Sequence, residues 1–127
     1  MFDHVLIYVS DMPASRAFYT AVLSSLGYKI IVERPGTGGV HSYGSSRPKL
    51  WLVPASADKT ASERVHIAFE AKDSQEVDAF YEAGLKVGAK SNGAPGPRPH
   101  YGADVYTCFL ADPDGNGIEC RCHLPSA

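Results

Sequence analysis

The sequence predicts an α+β domain made of two copies of one β-α-β-β-β unit, and three observations predict it. Six residues recur at a constant offset of 62: His4, Asp11, Ala17, Phe18, Tyr19 and Ala21 return as His66, Asp73, Ala79, Phe80, Tyr81 and Ala83. Self-similarity at a fixed spacing marks a repeated structural unit. Each repeat begins with a short apolar run followed by an aspartate and a segment of helical spacing. A polar connector, Pro54 to Ser62, separates the two halves. The organisation expected is therefore one domain, 1–127, containing a first unit at 1–54 and a second at 63–124.

Within the first unit, Phe2 to Val9 is apolar and reads as a strand. Ser10-Asp11 offers an N-cap, Pro13 is tolerated in a first turn, and Arg16 to Leu26 places Phe18, Val22, Leu23 and Leu26 on one stripe. Gly27 ends that helix. Tyr28 to Glu33 is a strand, Pro35 to Gly39 a turn, and Val40 to Tyr43 and Lys49 to Val53 are two further strands. The second unit repeats the order: a strand at Arg64 to Glu70, a helix capped by Asp73 and running to about Lys86, and a strand at Val87 to Ser91. The strands Val105 to Ala111 and Gly117 to Cys122 follow, joined by a turn rich in aspartate, glycine and asparagine. Asn92 to Tyr101 carries three prolines and two glycines and reads as a long loop, a candidate lid or pocket wall.

Bulk properties narrow the function. With 127 residues the chain can bury a sizeable core without disulfides or a structural metal. A net charge of -2 and the lack of any basic run argue against nucleic-acid and anionic-membrane partners. No segment approaches the length of a bilayer span and the first residues lack a signal-peptide pattern, so a cytoplasmic protein is expected. Cys108, Cys120 and Cys122 suit a reducing compartment and are expected to be buried, inert thiols. The recurrence of His4 as His66 puts two imidazoles at equivalent places, and a pseudo-two-fold that joined the units would bring them together as the start of a metal site.

Three segments carry a family resemblance: Asp3 to Met12, Val65 to Ala71, and Phe109 to Glu119 with its Asp-Pro-Asp-Gly-Asn run. With the paired units, they make the chain resemble the vicinal oxygen chelate superfamily, which includes glyoxalase I, the extradiol dioxygenases, the fosfomycin resistance enzymes and the bleomycin resistance proteins. The resemblance spans Phe2 to about Cys122. It implies that the two units form a half-open mixed β-barrel with metal ligands projecting inward, and that the chain is a homodimer. It also implies that His4, His66 and Glu119 hold one divalent metal (Fe, Mn, Zn or Ni). The fourth ligand position of the glyoxalase I enzymes falls on Trp51, whose indole cannot bind a metal and would instead form an apolar wall.

The remaining candidates are less direct. His100 lies 19 residues before Glu119, a spacing that resembles the second-shell histidine of extradiol dioxygenases, and it is the candidate for proton transfer beside Glu119. The place of the tyrosine in those dioxygenases is taken by Phe109, so ring cleavage lacks its hydroxyl and Phe109 is expected to line the cavity. Tyr101, a candidate for substrate contact, lies with His100 on a loop that could swing over an open coordination position. His41 and Tyr43 share one face of a strand and are weaker pocket candidates. Arg98 and Lys49 are expected to be solvated, with anion binding the lesser alternative. Asp11 and Asp73 are expected to be helix caps. The resulting expectation is a metal-dependent lyase, isomerase or dioxygenase acting on a small oxygenated substrate. The alternative is a metal-free protein that sequesters a small molecule, as the bleomycin resistance proteins do.

Overall fold

The computed structural model of the chain describes residues 1–34 and 40–125, so the expected turn at Pro35 to Gly39 lies outside the described residues. Both units follow the expected order. The first comprises β1 (Val5–Val9), α1 (Met12–Ser24), β2 (Lys29–Arg34), β3 (Val40–Gly44) and β4 (Leu50–Pro54). The second comprises β5 (His66–Glu70), α2 (Ser74–Lys86), β6 (Lys90–Pro97), β7 (Val105–Ala111) and β8 (Gly117–His123). Each unit forms its own four-stranded mixed sheet, ordered β1-β4-β3-β2 and β5-β8-β7-β6. Among the described residues, no strand of one sheet pairs with a strand of the other.

Local chemistry sets the helix ends. Asp11 accepts a hydrogen bond from the Ala14 backbone N–H at 3.1 Å, and Asp73 accepts one from Glu76 at 2.9 Å. Glu76 in turn accepts from the Lys72 backbone N–H at 2.9 Å, so the second helix starts with reciprocal capping. At the other end Gly27 takes φ +84°, which lets the Tyr28 N–H reach the Leu23 carbonyl at 3.0 Å. Both aspartates are thus structural caps.

One segment departs from expectation. Val87 to Ser91 does not form a strand from its start, because a turn through Gly88 (φ +85°) follows α2 and pairing begins only at Lys90. Asn92 to Pro97, expected to be loop, continues that strand. Among the described residues β6 is an edge strand paired only with β7, and its register slips between Ser91 and Gly93 and again between Gly93 and Gly96. An edge with bulges tolerates prolines that a central strand would not. The loop proper is the stretch Arg98 to Asp104, which turns back through Pro99–Gly102.

The core lies between the sheets and the helices. Phe18, Tyr19, Val22 and Leu23 of α1 meet Val77 and Phe80 of α2 together with Ile7, Leu52, Leu110 and Ile118 from the sheets. Each helix packs on its own sheet and the two helices pack on each other. The remaining face of each sheet is left outward. His41 and Tyr43 belong to the helix-facing side, where Tyr43 lines a separate cavity with Leu23, Tyr28 and Phe69. The Tyr43 hydroxyl lies 2.9 Å from that of Thr20 and 3.3 Å from the Arg16 carbonyl. The three cysteines are buried, and burial pushes the Cys108 thiol up to about 12, so it stays protonated.

Buried and half-buried polar groups join the units. The buried Asp112 carboxylate accepts from the Tyr19 hydroxyl at 2.6 Å, from the Asp114 and Asn116 backbone N–H groups at 2.9 and 2.8 Å, and from Asn116 Nδ2 at 3.1 Å. Ser62, in the connector, accepts from the Tyr8 N–H at 2.9 Å, donates its own N–H to the Tyr8 carbonyl at 2.8 Å, and offers its carbonyl to Asn116 Nδ2 at 3.0 Å.

Two outcomes are expected. Asp112→Ala strands the Tyr19 hydroxyl and the Asn116 amide in the core, and denaturant titration should show a loss of about 3 kcal/mol or more. His41 is buried, its Nδ1 has no hydrogen-bond partner among the described residues, and Glu33 lies 3.4 Å away with Arg16 bound to it. Burial, only partly offset by Glu33, holds its pKa below the ordinary 6.5. The unfolded chain therefore takes up the proton first. Stability should be full above pH 6.5 and should fall as pH drops toward the folded value, by up to about 1.4 kcal/mol per pH unit. His41→Gln should flatten that part of the stability–pH curve.

Candidate functional site

Strand alternation decides which side chains reach the outward faces. On β5 it turns His66, Ala68 and Glu70 outward and leaves Ile67 and Phe69 to the core. On β8 it sends Ile118, Cys120 and Cys122 to the core and Glu119 to the opposite face. His66 stands opposite Gly117 in the parallel β5–β8 ladder. A Cβ at position 117 would come within 2.9 Å of the His66 Nδ1, so the glycine leaves the imidazole room to lie across β8. His66 Nε2 then reaches Glu119 Oε1 at 2.9 Å.

Glu119 is only 4% exposed, and its second oxygen is also held. The Thr107 hydroxyl lies 2.7 Å from Oε2 and 3.0 Å from the Cys120 carbonyl, and Arg121 Nη1 is 3.6 Å from Oε2. Thr107 carries no motif, and only its position on β7, next to the glutamate strand, could have revealed it. Phe109 pairs directly with Glu119 across the β7–β8 ladder. Its ring centroid lies 6.3 Å from that of His66 and 6.4 Å from that of Tyr101. These residues line a cavity of about 360 Å³ together with Asn92 and Arg98. The expected Phe109 and Tyr101 are therefore together beside the His66–Glu119 pair. His100 is exposed and stacks on Tyr101 with centroids 4.2 Å apart, outside that lining.

The other expected residues lie on the first sheet. His4 Nδ1 donates to Asp3 Oδ1 at 2.7 Å. The histidine, helped by Lys49 and Arg47, holds the Asp3 carboxyl below its usual range. His4 and Trp51 line a second depression with Arg47 and Lys49, and Arg34 lies 5.7 Å over the indole. Ladder register fixes the relation between the two faces. Leu6 pairs with Trp51, and Ala68, its counterpart 62 residues on, pairs with Glu119. Trp51 and Glu119 are thus equivalent positions of the repeat. Within the chain His4 does not join His66 and Glu119: among the described residues no three His, Cys, Asp or Glu side chains are placed to hold a metal. The units associate through their helices, which directs the two histidine-bearing faces outward instead of toward each other.

The model of the Glyoxalase/Bleomycin resistance protein/Dioxygenase superfamily matches residues 1–120, and the chain belongs to that superfamily. A solved glyoxalase/bleomycin resistance protein from Albidiferax ferrireducens is 29% identical, with a TM-score of 0.79, covering 97% of this chain and 99% of that one. The fosfomycin resistance protein FosX of Listeria monocytogenes, complexed with Mn(II) and 1S,2S-dihydroxypropylphosphonic acid, shares the fold at 17% identity and a TM-score of 0.66, covering 99% and 90%. So does TnmS3, an antibiotic-binding protein from a Streptomyces species, at 19% identity and a TM-score of 0.66, covering 97% and 95%. No curated protein matches the sequence. Among the described residues no helix is long and apolar enough to cross a membrane.

Thr107→Val keeps the side-chain shape but removes the donor to a buried carboxylate oxygen. Thermal or denaturant unfolding should show a loss of about 1–3 kcal/mol, and Thr107→Ser should recover most of it.

Proposed function

We propose that the chain is a metal-dependent enzyme of its superfamily, a lyase, isomerase or dioxygenase for a small oxygenated molecule, with its site formed between two copies. His66 and Glu119 of one copy and His4 of a second would hold one divalent ion. The observation that carries this reading is the His66–Glu119 pair on an outward sheet face, with His4 on another outward face of the same chain. The pair fits an ion. Two donors about 2.1 Å from a metal and at right angles lie about 3 Å apart, and here the separation is 2.9 Å. His4 suits the third position, because Asp3 engages its Nδ1 and leaves Nε2 available, the arrangement that orients metal-binding histidines. Phe2 and Leu6, 73% and 44% exposed, accompany Trp51 on the first unit and favour a second copy as cover.

When bound, such an ion supplies Lewis-acid stabilisation of charge on substrate oxygens. The ligand set suits Fe, Mn, Zn or Ni. Thr107 would hold Glu119 in one rotamer, Phe109 and Tyr101 would exclude water, and Trp51 would wall the far side. His100, exposed beside Tyr101, is the proton-transfer candidate on the loop after β6.

A second reading, metal-free sequestration of a small molecule, is favoured by a specific observation: Glu119 is already satisfied by His66, Thr107 and Arg121 without an ion. Trp51 at the equivalent position also supplies an apolar surface and no donor.

The experiment is metal analysis of protein purified without chelator, with His4→Ala, His66→Ala and a co-expressed hybrid of the two. About one ion per chain is expected in the unmodified protein and little in either variant. The hybrid should regain one ion per dimer, because one of its two sites is then built entirely from unmodified residues. An empty hybrid would overturn the shared site. Absence of metal from every form would leave the sequestration reading.

A further inference from the structure

Arg98 is expected from sequence to be a solvated cation, yet it is half-buried in the wall of the cavity that contains His66. Its guanidinium is held on several sides. Nη2 donates to the Ala94 carbonyl at 2.8 Å and Nη1 to the Pro97 carbonyl at 3.3 Å. Its central carbon lies 5.7 Å over the Phe109 ring. The bulged edge strand β6 makes room for it: a Cβ at Gly93 would meet Nη2 at 3.3 Å, and one at Gly96 would meet Nη1 at 3.2 Å. Arg16 and Arg121 have carboxylates at 3.0 and 3.6 Å, but among the described residues no carboxylate pairs with Arg98.

A guanidinium that is partly removed from water and fixed in position has a use for a counter-charge. Two of its five N–H groups are engaged with carbonyls, which leaves donors for a planar acceptor. The neighbouring lining is aromatic: Phe109, Tyr101 and the His66 imidazole. A dry cavity of about 150 Å³ accommodates benzene, so the 360 Å³ here has room for a ring bearing a carboxylate.

We propose that Arg98 is the orienting residue of this cavity, and that the ligand is a small planar monocarboxylate. Its carboxylate lies on the Arg98 fork and its flat body among Phe109, Tyr101 and His66. This rests on the reading of the cavity as the ligand site, but not on a metal being present.

The test uses benzoate and its neutral isostere benzamide, titrated into the protein and followed by NMR of the Tyr101 and Phe109 ring resonances. Benzoate should bind roughly tenfold or more tightly than benzamide, as a charge-assisted bidentate contact requires. Arg98→Gln should bring benzoate down to the benzamide level while the protein stays folded, as its NMR spectrum shows, and Zn(II) binding is unchanged. Arg98→Lys, which keeps the charge and loses the fork, should fall between. Equal binding of the two probes, a preference that survives Arg98→Gln, or no shift of those rings with benzoate would each overturn the proposal. Protein that binds no metal yet shows the Arg98-dependent preference would sink the metal site and leave this assignment standing. Metal binding without the preference would do the reverse.

Discussion

The structure depends first on the buried carboxylate of Asp112. A charge removed from water is tolerable only where donors surround it, and four do so here, from Tyr19, Asp114 and Asn116. Tyr19 belongs to the helix of the first unit, and burial next to that carboxylate pushes its phenol well up, so it remains a donor. Asn116 carries the constraint onward. Its side-chain oxygen accepts from the Val65 N–H at 3.0 Å, and the adjacent Gly117 N–H donates to the Val65 carbonyl at 2.9 Å. These two bonds start the β5–β8 ladder and fix its register. The approach of His66 to Glu119 therefore depends on a carboxylate that touches neither.

The repeat was legible because it lies in residue identity. His4 and His66, Asp11 and Asp73, and the two helices could all be placed by offset alone, and the equivalence of Trp51 with Glu119 is confirmed by ladder register. What the sequence did not disclose are relations between distant segments. Tyr19 and Asp112 are 93 positions apart, and nothing local to either indicates a bond. Arg98 reads as a surface cation until the bulges of β6 place two glycines beneath it. His4 and His66 do not meet within the chain, because the apolar stripes of the helices, Phe18, Tyr19 and Val22 against Val77 and Phe80, bury each other and turn the sheets outward. Proline content misjudged Asn92 to Pro97, since edge position matters more than composition for strand pairing.

The two units, though built alike, have taken different chemistry. At one equivalent position stands a carboxylate held by a hydroxyl and an imidazole, and at the other an indole under an arginine. Duplication keeps the scaffold while each face changes independently, because the shared requirements lie in the caps, the helix stripes and the core-facing halves of the strands. The outward residues, alternating with the core ones, carry none of that burden.

Ser62 sets a cost on exchanging units between chains. Its hydrogen bonds grip Tyr8 of the first unit on one side and Asn116 of the second on the other, so the connector is stitched to both halves. A segment that serves as a hinge in domain exchange must be able to straighten without loss. Here, opening the connector would break its two hydrogen bonds to Tyr8 of β1 and its one to Asn116 in the turn before β8. The two halves of one polypeptide are thus fastened to each other through their connector, and any exchange of units between chains would first have to undo that fastening.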